Sequence, residues 1–556
     1  MAKGLIASLP TWETLSLQQQ IAQMVVVRAS GHLFDHQIEY PVWEPPNSVL
    51  QRWVQELGVG GVILLGGTAA EVGLRTHQLQ DWATIPLLVA ADIEEGVGQR
   101  FAGATWFPPP MALSQIAKRD QPKAIDLAFQ MGSITAQEAA AIGLNWVLAP
   151  VVDVNNNPAN PVINVRSFGD DAAIVSPLIS AFIRGARQFP VLTSAKHFPG
   201  HGDTAIDSHL ELPVILHDRT RLEEIEFAPF RESIAAGVDS VMTAHLQLPA
   251  LDRHYPATLS QPILTGILRQ QMNFQGLIVT DALIMGAITQ AYGANEAPIL
   301  ALEAGADILL MPADPEGAIE AICAAVEAGR IPLERINASL DRIWRAKQKV
   351  STTAISGSSH AWEQIPPPPI DLDHLAKPEA IDCAAGVLRD SMTVYCPPDA
   401  RLGDRRSNEP RRNLVLLDDM LNCNFLRRQA PAITLPAHWG YKLQVIDQNL
   451  AGSIAPGSQP PIPTLLQLFI RGNPFRSSAG LTQTAKHWLM HLLQTNQLLG
   501  LVIYGSPYVM ESLVSQLPAE IPYGFTYGQM PLAQAIVLGE LGGESGRSVR
   551  NDEFTD

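Results

Sequence analysis

Residues 191–209 read VLTSAKHFPGHGDTAIDSH. The stretch opens as a short apolar run and ends in charge, at Lys196-His197. Pro199, Gly200 and Gly202 then forbid a regular helix. An apolar run that stops at a lysine and a histidine is the pattern of a parallel strand, covered on both faces, whose carboxyl end meets a polar site. Seven further runs of this kind lie in the first 350 residues. They are MVVVRA from Met24, GVILLGG from Gly61, PLLVAAD from Pro86, LNWVLAPVVD from Leu144, DSVMTAH from Asp239, GLIVTD from Gly276 and ADILLMP from Ala306. Segments of helical periodicity separate them, such as LEEIEFAPFRESIAAG from Leu222 and AIEAICAAVEAG from Ala318. Alternating strands and helices imply a parallel sheet. An open doubly wound sheet is the other arrangement of such a pattern, but eight units favour a closed (β/α)8 barrel.

Ionisable residues recur where these runs end. Asp92 closes the third, Asp153 the fourth, Lys196 and His197 the fifth, His245 the sixth and Asp281 the seventh. In a parallel barrel all these ends open on one face, where barrel enzymes hold their active sites. Residues far apart in sequence are therefore expected to converge.

Beyond the barrel, residues 351–375 are rich in Ser, Gly and Pro, and Pro366–Pro369 predicts a stiff, extended linker. A second, smaller α/β sandwich is expected over 376–545. Its strands are read at MTVY, NLVLLDD, LQVID, LLQLFI and LGLVIYG, and its helices near Thr482–Leu493 and Pro531–Leu541. Mobile loops are expected around 397–413 and 451–464, and a disordered tail at 546–556. The 556 residues carry a formal net charge of −17, which argues against a nucleic-acid or anionic-membrane partner. Four cysteines without a CxxC spacing favour neither a disulfide framework nor a zinc ribbon. No run reaches a membrane span, and the first residues lack a secretory h-region, so a cytoplasmic setting is expected. The sequence leaves the oligomeric state open.

Each polar strand end admits an ordinary reading beside a chemical one. Asp281, in VTDALIMGAI, suits the N-cap of a following helix or a carboxylate nucleophile at the barrel mouth. Asp92, Arg100, Arg166, Lys196 and His197 suit rim salt bridges, or the paired acceptors and charged donors that a ring of sugar hydroxyls requires. A lysine ending an apolar strand is harder to dismiss, since buried lysine is rare unless paired. His197 and His201 have the spacing of a helical zinc pair, but without a helix they do not share a face. Asp207 and His209, two apart, suit an ordinary turn or a carboxylate-oriented imidazole acting as proton donor. His201 and Asp203 receive no role beyond shaping the loop.

KHFPGHGDTAIDSH, NPVINVRSFGDD, DIEEGVGQRF and VTDALIMGAI together strongly resemble glycoside hydrolase family 3, in its bacterial β-N-acetylhexosaminidase branch. The opening LSLQQQIAQM resembles the family's first helix. The motifs keep the family's order over about residues 10–350, and the loop from His197 to His209 marks this branch. The C-terminal region resembles the family's second domain only loosely. The resemblance implies retaining hydrolysis of terminal β-linked N-acetylglucosamine from muropeptide or chitin-type fragments. It makes Asp281 the nucleophile, His209 the acid/base and Asp207 its partner. Asp92, Arg100, Arg166, Lys196 and His197 match sugar-binding positions, the loop bearing His209 is a mobile lid, and no metal or organic cofactor is implied. One motif departs from the family: Glu95 and Val97 interrupt its Asp-x-Glu-Gly-Gly-Arg, although Arg100 keeps its spacing from Asp92. A β-N-acetylglucosaminide phosphorylase or β-glucosidase of the same family, a metal-dependent barrel hydrolase and a non-catalytic sugar-binding relative are the competing expectations.

Overall fold

The structure is a computed structural model, and it describes residue 9 and residues 11–204, 212–351, 370–398, 400–403, 410–447, 461–471 and 479–543. Most of the linker expected at 351–375, the loop segments 404–409 and 448–460, the tail at 546–556 and the pair Asp207 and His209 lie outside the described residues.

All eight runs of the first 350 residues form strands: β1 Val25–Ser30, β2 Gly61–Leu65, β3 Leu88–Ala91, β4 Trp146–Val147, β5 Leu192–Phe198, β6 Ser240–Thr243, β7 Leu277–Val279 and β8 Leu309–Leu310. They pair in parallel, in the order β7-β6-β5-β4-β3-β2-β1-β8. The parallel bridge Val279↔Ile308 joins the two ends. The fold is therefore a closed (β/α)8 barrel, followed by a smaller α/β sandwich. Strand residues are buried on both faces; all seven positions of β5 are covered, Lys196 and His197 among them. That burial explains the unbroken apolar runs.

Helix starts follow from capping chemistry. Ser16 and Gln19 form a reciprocal capping box at Leu17–Ala22, inside the LSLQQQ motif. Asp120, Asp171 and Asp314 each accept a backbone N–H at the start of the helices Gln121–Ala141, Ala172–Ala186 and Pro315–Glu327. The helical stretch read from Leu222 runs to Ala235, with a widened first turn.

Opposite the barrel mouth, Asp307 binds the β7–β8 seam to the final barrel helix, Leu333–Val350. Its buried carboxylate meets Arg269 at 2.7 Å, Arg342 at 3.0 Å and Arg335 at 3.4 Å. It also accepts from Ser339 Oγ at 2.6 Å and the Ile278 N–H at 3.0 Å. Lys347, on the same helix, is buried and donates to Gln23 Oε1 and the Pro86 carbonyl, both at 2.7 Å.

The chain forms two compact units: residues 1–107, 120–157 and 167–381, and residues 108–119, 158–166 and 382–556. In the second, the five expected strands appear as β9 Thr393–Tyr395, β10 Arg411–Leu416, β11 Tyr441–Ile446, β12 Thr464–Ile470 and β13 Leu498–Gly505. A sixth, β14 Tyr523–Thr526, escapes the sequence reading because YGFT is short and interrupted by glycine. The order is β11-β10-β12-β13-β14-β9, with β9 antiparallel at the edge. The five parallel strands thus follow the 2-1-3-4-5 order of a doubly wound sheet. The helices expected near Thr482–Leu493 and Pro531–Leu541 span Ala479–Gln494 and Pro531–Gly542. Among the described residues, no helix is long and apolar enough to cross a membrane.

Candidate active site

The quoted stretch enters the site at the end of β5. Lys196 is 1% exposed, so a rim salt bridge is the wrong description of it. Its ammonium lies 2.6 Å from Asp92 Oδ1 and 2.7 Å from Glu94 Oε1, both beyond the end of β3. A buried lysine needs this compensation: alone, its charge would be expelled, and with two carboxylates it is held in place. β3 and β5 are alternate strands, and side chains from alternate strands meet in one layer of such a barrel. Arg100, exposed, donates from Nε to the Asp92 carbonyl at 3.0 Å and so stands beside the same group. The extra Glu95 is absorbed: buried, it accepts from Trp106 Nε1 at 3.0 Å, leaving Glu94 for Lys196.

His197 turns to the end of β4. Its Nδ1 lies 2.7 Å from Asp153 Oδ2. A carboxylate only accepts, so Nδ1 carries a proton. Asp153 Oδ1 also accepts the N–H of His201 at 2.7 Å and of His197 at 3.2 Å. One buried carboxylate therefore fixes both the His197 ring and the backbone on each side of Pro199.

His201 is an internal group, its Nδ1 3.0 Å from Thr204 Oγ1. Burial pushes its pKa down to about 4, against the opposing pull of Asp153 and Asp281. It is neutral at physiological pH. Asp203 pairs with His217 Nε2 at 2.7 Å. Gly202 passes so close to Val154 that a Cβ there would overlap the Val154 carbonyl oxygen, and Gly200 adopts φ +125° against Glu226. His201 and Asp203 thus anchor the chain where it leaves for residues 205–211.

Asp281 follows β7. The helix after it is Gly286–Tyr292, whose N-cap position is Met285, so the N-cap reading of Asp281 is overturned. A ring of hydrogen bonds instead holds its backbone. The Asp281 N–H donates to Thr243 Oγ1 at 3.3 Å, and that hydroxyl meets Thr258 Oγ1 at 2.8 Å. Thr258 Oγ1 lies 2.8 Å from His245 Nδ1, while His245 Nε2 lies 3.1 Å from the Ala282 carbonyl. The carbonyl only accepts, so His245 carries a proton on Nε2, and Thr258 Oγ1 also donates to the Ala244 carbonyl at 3.0 Å. Thr243, Thr258 and His245 are all fully buried, which makes the ring a rigid seat for the backbone that carries the carboxylate.

Asp92, Arg100, Lys196 and His197 are thus brought together with Glu94 and Asp153, and Asp281 stands beyond the end of β7. Arg166 ends the turn Asn164–Arg166 and donates from Nη1 to the Val162 carbonyl at 3.0 Å, within the segment that groups with the second unit. The sequence reading had not given roles to Glu94, Asp153 or the Thr243–Thr258–His245 ring. A usable signal existed for the first two, since a buried cation and a strand-end imidazole each demand an acidic partner.

A barrel with ionised groups seated at the carboxyl ends of its strands, joined to a doubly wound α/β unit, defines the class. Residues 16–346 match the family model described as Glycosyl hydrolase family 3 N terminal domain, and residues 404–542 match Bacterial Glycosyl hydrolase family 3 C-terminal domain. The chain belongs to glycosyl hydrolase family 3.

Among its relatives, "Beta-hexosaminidase A" of Pseudoalteromonas piscicida is 36% identical over 345 residues, 56% of each chain. "Beta-N-acetylglucosaminidase/beta-glucosidase" of Cellulomonas fimi is 30% identical over 376 residues, 66% of this chain and 64% of that protein. The matches thus span less than two thirds of the length of these two relatives. A solved glycoside hydrolase family 3 beta-N-acetylglucosaminidase from Paenibacillus sp. superposes with a TM-score of 0.75 at 30% identity, covering 96% of this chain and 97% of that one. A beta-glucoside phosphorylase superposes at 0.77 with 20% identity and shares the fold.

Proposed function

We propose that the chain is a retaining exo-β-N-acetylhexosaminidase that removes terminal, non-reducing β-linked N-acetylglucosamine from muropeptide or chitin-type fragments. The observation that carries this reading is the seat of Asp281. Its backbone N–H and the following Ala282 carbonyl are both held by buried hydrogen bonds. An oxygen of the Asp281 carboxylate attacks the anomeric carbon, and the bond to the leaving oxygen breaks. His209, partnered by Asp207, supplies that oxygen's proton. Water then opens the glycosyl ester, giving its proton to His209, and Asp281 is regenerated. The roles of Asp207 and His209 rest on the motif alone. Asp92 and Glu94, already charge-paired with Lys196, supply acceptors for sugar hydroxyls, with the His197 ring beside them. Lys196 and Arg100 supply donors, and the part given to Arg166 rests on the motif alone.

The test compares chromogenic β-N-acetylglucosaminide with β-glucoside for wild type, Asp281→Asn and His209→Ala, with and without phosphate. Wild type should prefer the acetamido sugar and release free N-acetylglucosamine. Asp281→Asn should lose roughly a thousandfold or more of kcat. Preference for the plain glucoside would overturn the substrate, sugar 1-phosphate as the main product would overturn hydrolysis, and full activity in Asp281→Asn would overturn the mechanism.

A further inference from the structure

Helix Gln121–Ala141 closes on the run TAQEAAA, and within it Glu138 is 1% exposed. Burying a carboxylate is costly unless its oxygens are filled, and alanine would continue this helix at no such cost. Three donors fill Glu138. Its Oε2 accepts the Thr105 N–H at 2.9 Å, and its Oε1 accepts the Thr105 hydroxyl at 2.6 Å and the Ala376 N–H at 2.8 Å. Burial raises its pKa, and the bonds from Thr105 and Ala376 oppose the rise. Two of the three donors are backbone N–H groups, so the carboxylate sets the course of the chain at both places.

Toward the site, Thr105 is fastened to the turn after β3. The Gly98 N–H donates to the Thr105 carbonyl at 2.9 Å, and the Phe107 N–H donates to the Glu95 carbonyl at 2.8 Å. A Cβ at Gly96 or Gly98 would stand 2.7 or 2.8 Å from the Thr105 carbonyl oxygen, so neither position accepts a side chain while Thr105 stays in place. That turn begins with Asp92 and Glu94, which hold the Lys196 ammonium at 2.6 and 2.7 Å. Away from the site, Ala376 belongs to residues 370–376, which follow the expected linker and group with the barrel. The Asp371 N–H donates to the Ala141 carbonyl at 2.9 Å, at the end of the helix that carries Glu138. One buried carboxylate therefore joins that helix, the turn bearing Asp92 and Glu94, and the segment after the linker.

We propose that Glu138 is a positioning residue for sugar binding, which acts through Thr105 to set the turn that presents Asp92 and Glu94. This rests on the reading of those two carboxylates as acceptors for sugar hydroxyls. Glu138 itself touches no substrate. Bonds to the hydroxyls are made in the ground state and the transition state alike, so a loosened turn weakens binding and leaves the chemical step alone.

The experiment measures kcat and KM on chromogenic β-N-acetylglucosaminide, with thermal unfolding alongside, for the full chain and its Glu138→Gln, Thr105→Val and Thr105→Ser variants. Glutamine keeps one acceptor oxygen and turns an N–H toward a donor, while valine removes the hydroxyl and keeps the shape. Both should raise KM about two- to tenfold with kcat within about twofold of wild type, as for one weakened hydrogen bond. Thr105→Ser restores the hydroxyl and should match wild type. If Glu138→Gln does not fold, Thr105→Val carries the comparison. A lower Tm with KM unmoved, a fall in kcat at constant KM, or a Thr105→Ser as impaired as Thr105→Val would overturn the positioning role while leaving the hydrolase reading intact. A folded wild type inactive on the β-N-acetylglucosaminide would overturn the hydrolase reading, and this role with it.

Discussion

Asp153→Asn tests the carboxylate that brackets the quoted stretch. In the wild type it accepts three hydrogen bonds, at 2.7 Å from His197 Nδ1, 2.7 Å from the His201 N–H and 3.2 Å from the His197 N–H. Asparagine keeps one oxygen, which serves the two backbone donors, and turns an N–H toward the ring. His197 Nδ1 can then no longer donate to that atom, and the ring loses the charged acceptor that orients it. Bonds to a charged acceptor contribute about 1.5–3 kcal/mol and neutral ones about 0.5–1.5 kcal/mol. Each of the three therefore weakens by about 1–1.5 kcal/mol, a total of about 3–4.5 kcal/mol.

The share on the ring, about 1.4 kcal/mol, is a tenfold fall in kcat/KM. The remainder, on the backbone, lowers stability and should cost several degrees in Tm. The assay is kcat/KM on chromogenic β-N-acetylglucosaminide together with thermal unfolding, for Asp153→Asn, His197→Ala and the double variant. If Asp153 acts through the ring, the second substitution adds little to kcat/KM once His197 is gone. Unchanged kcat/KM in Asp153→Asn, or additive losses in the double variant, would refute the bracket as a positioning device.

Two further outcomes concern the framework. Asp307→Ala leaves three arginines without their shared carboxylate and should destabilise the fold by about 3–5 kcal/mol; urea midpoints near wild type would contradict its role at the β7–β8 seam. Burial pushes the Lys347 pKa from 10.5 down to about 7, so between those values the unfolded state binds more protons than the folded one and stability rises with pH. Relative to Lys347→Met, wild type should gain roughly 3–4 kcal/mol between pH 7 and pH 10. Parallel urea-stability profiles for the two proteins would show that burial does not depress the Lys347 pKa.

How far the sequence could be read follows from what each feature depends on. The eight barrel strands were legible because burial on both faces writes itself as an unbroken apolar run. β14 was not, because its four residues include a glycine and its identity as a strand depends on pairing with β13 and β9. Lys196, His197 and Asp281 were legible as polar residues at strand ends. What each touches was not, since Lys196 meets residues about a hundred positions away through barrel layering rather than through any local period. The ring of Thr243, Thr258 and His245 gives no sequence signal beyond a histidine at a strand end, because two of its members are hydroxyls of ordinary appearance.

The close passage of Gly202 over Val154 bears on how mutational screens of this protein should be interpreted. No side chain fits at position 202 without displacing the backbone. Any substitution there would shift the neighbouring His201 N–H from Asp153 and disturb His197 through the shared carboxylate. A screen ranked by lost turnover would place Gly202 beside Asp281, although glycine has no group to offer a substrate. Tolerance at this position measures backbone clearance, and only a parallel measure of folded protein would separate it from chemistry.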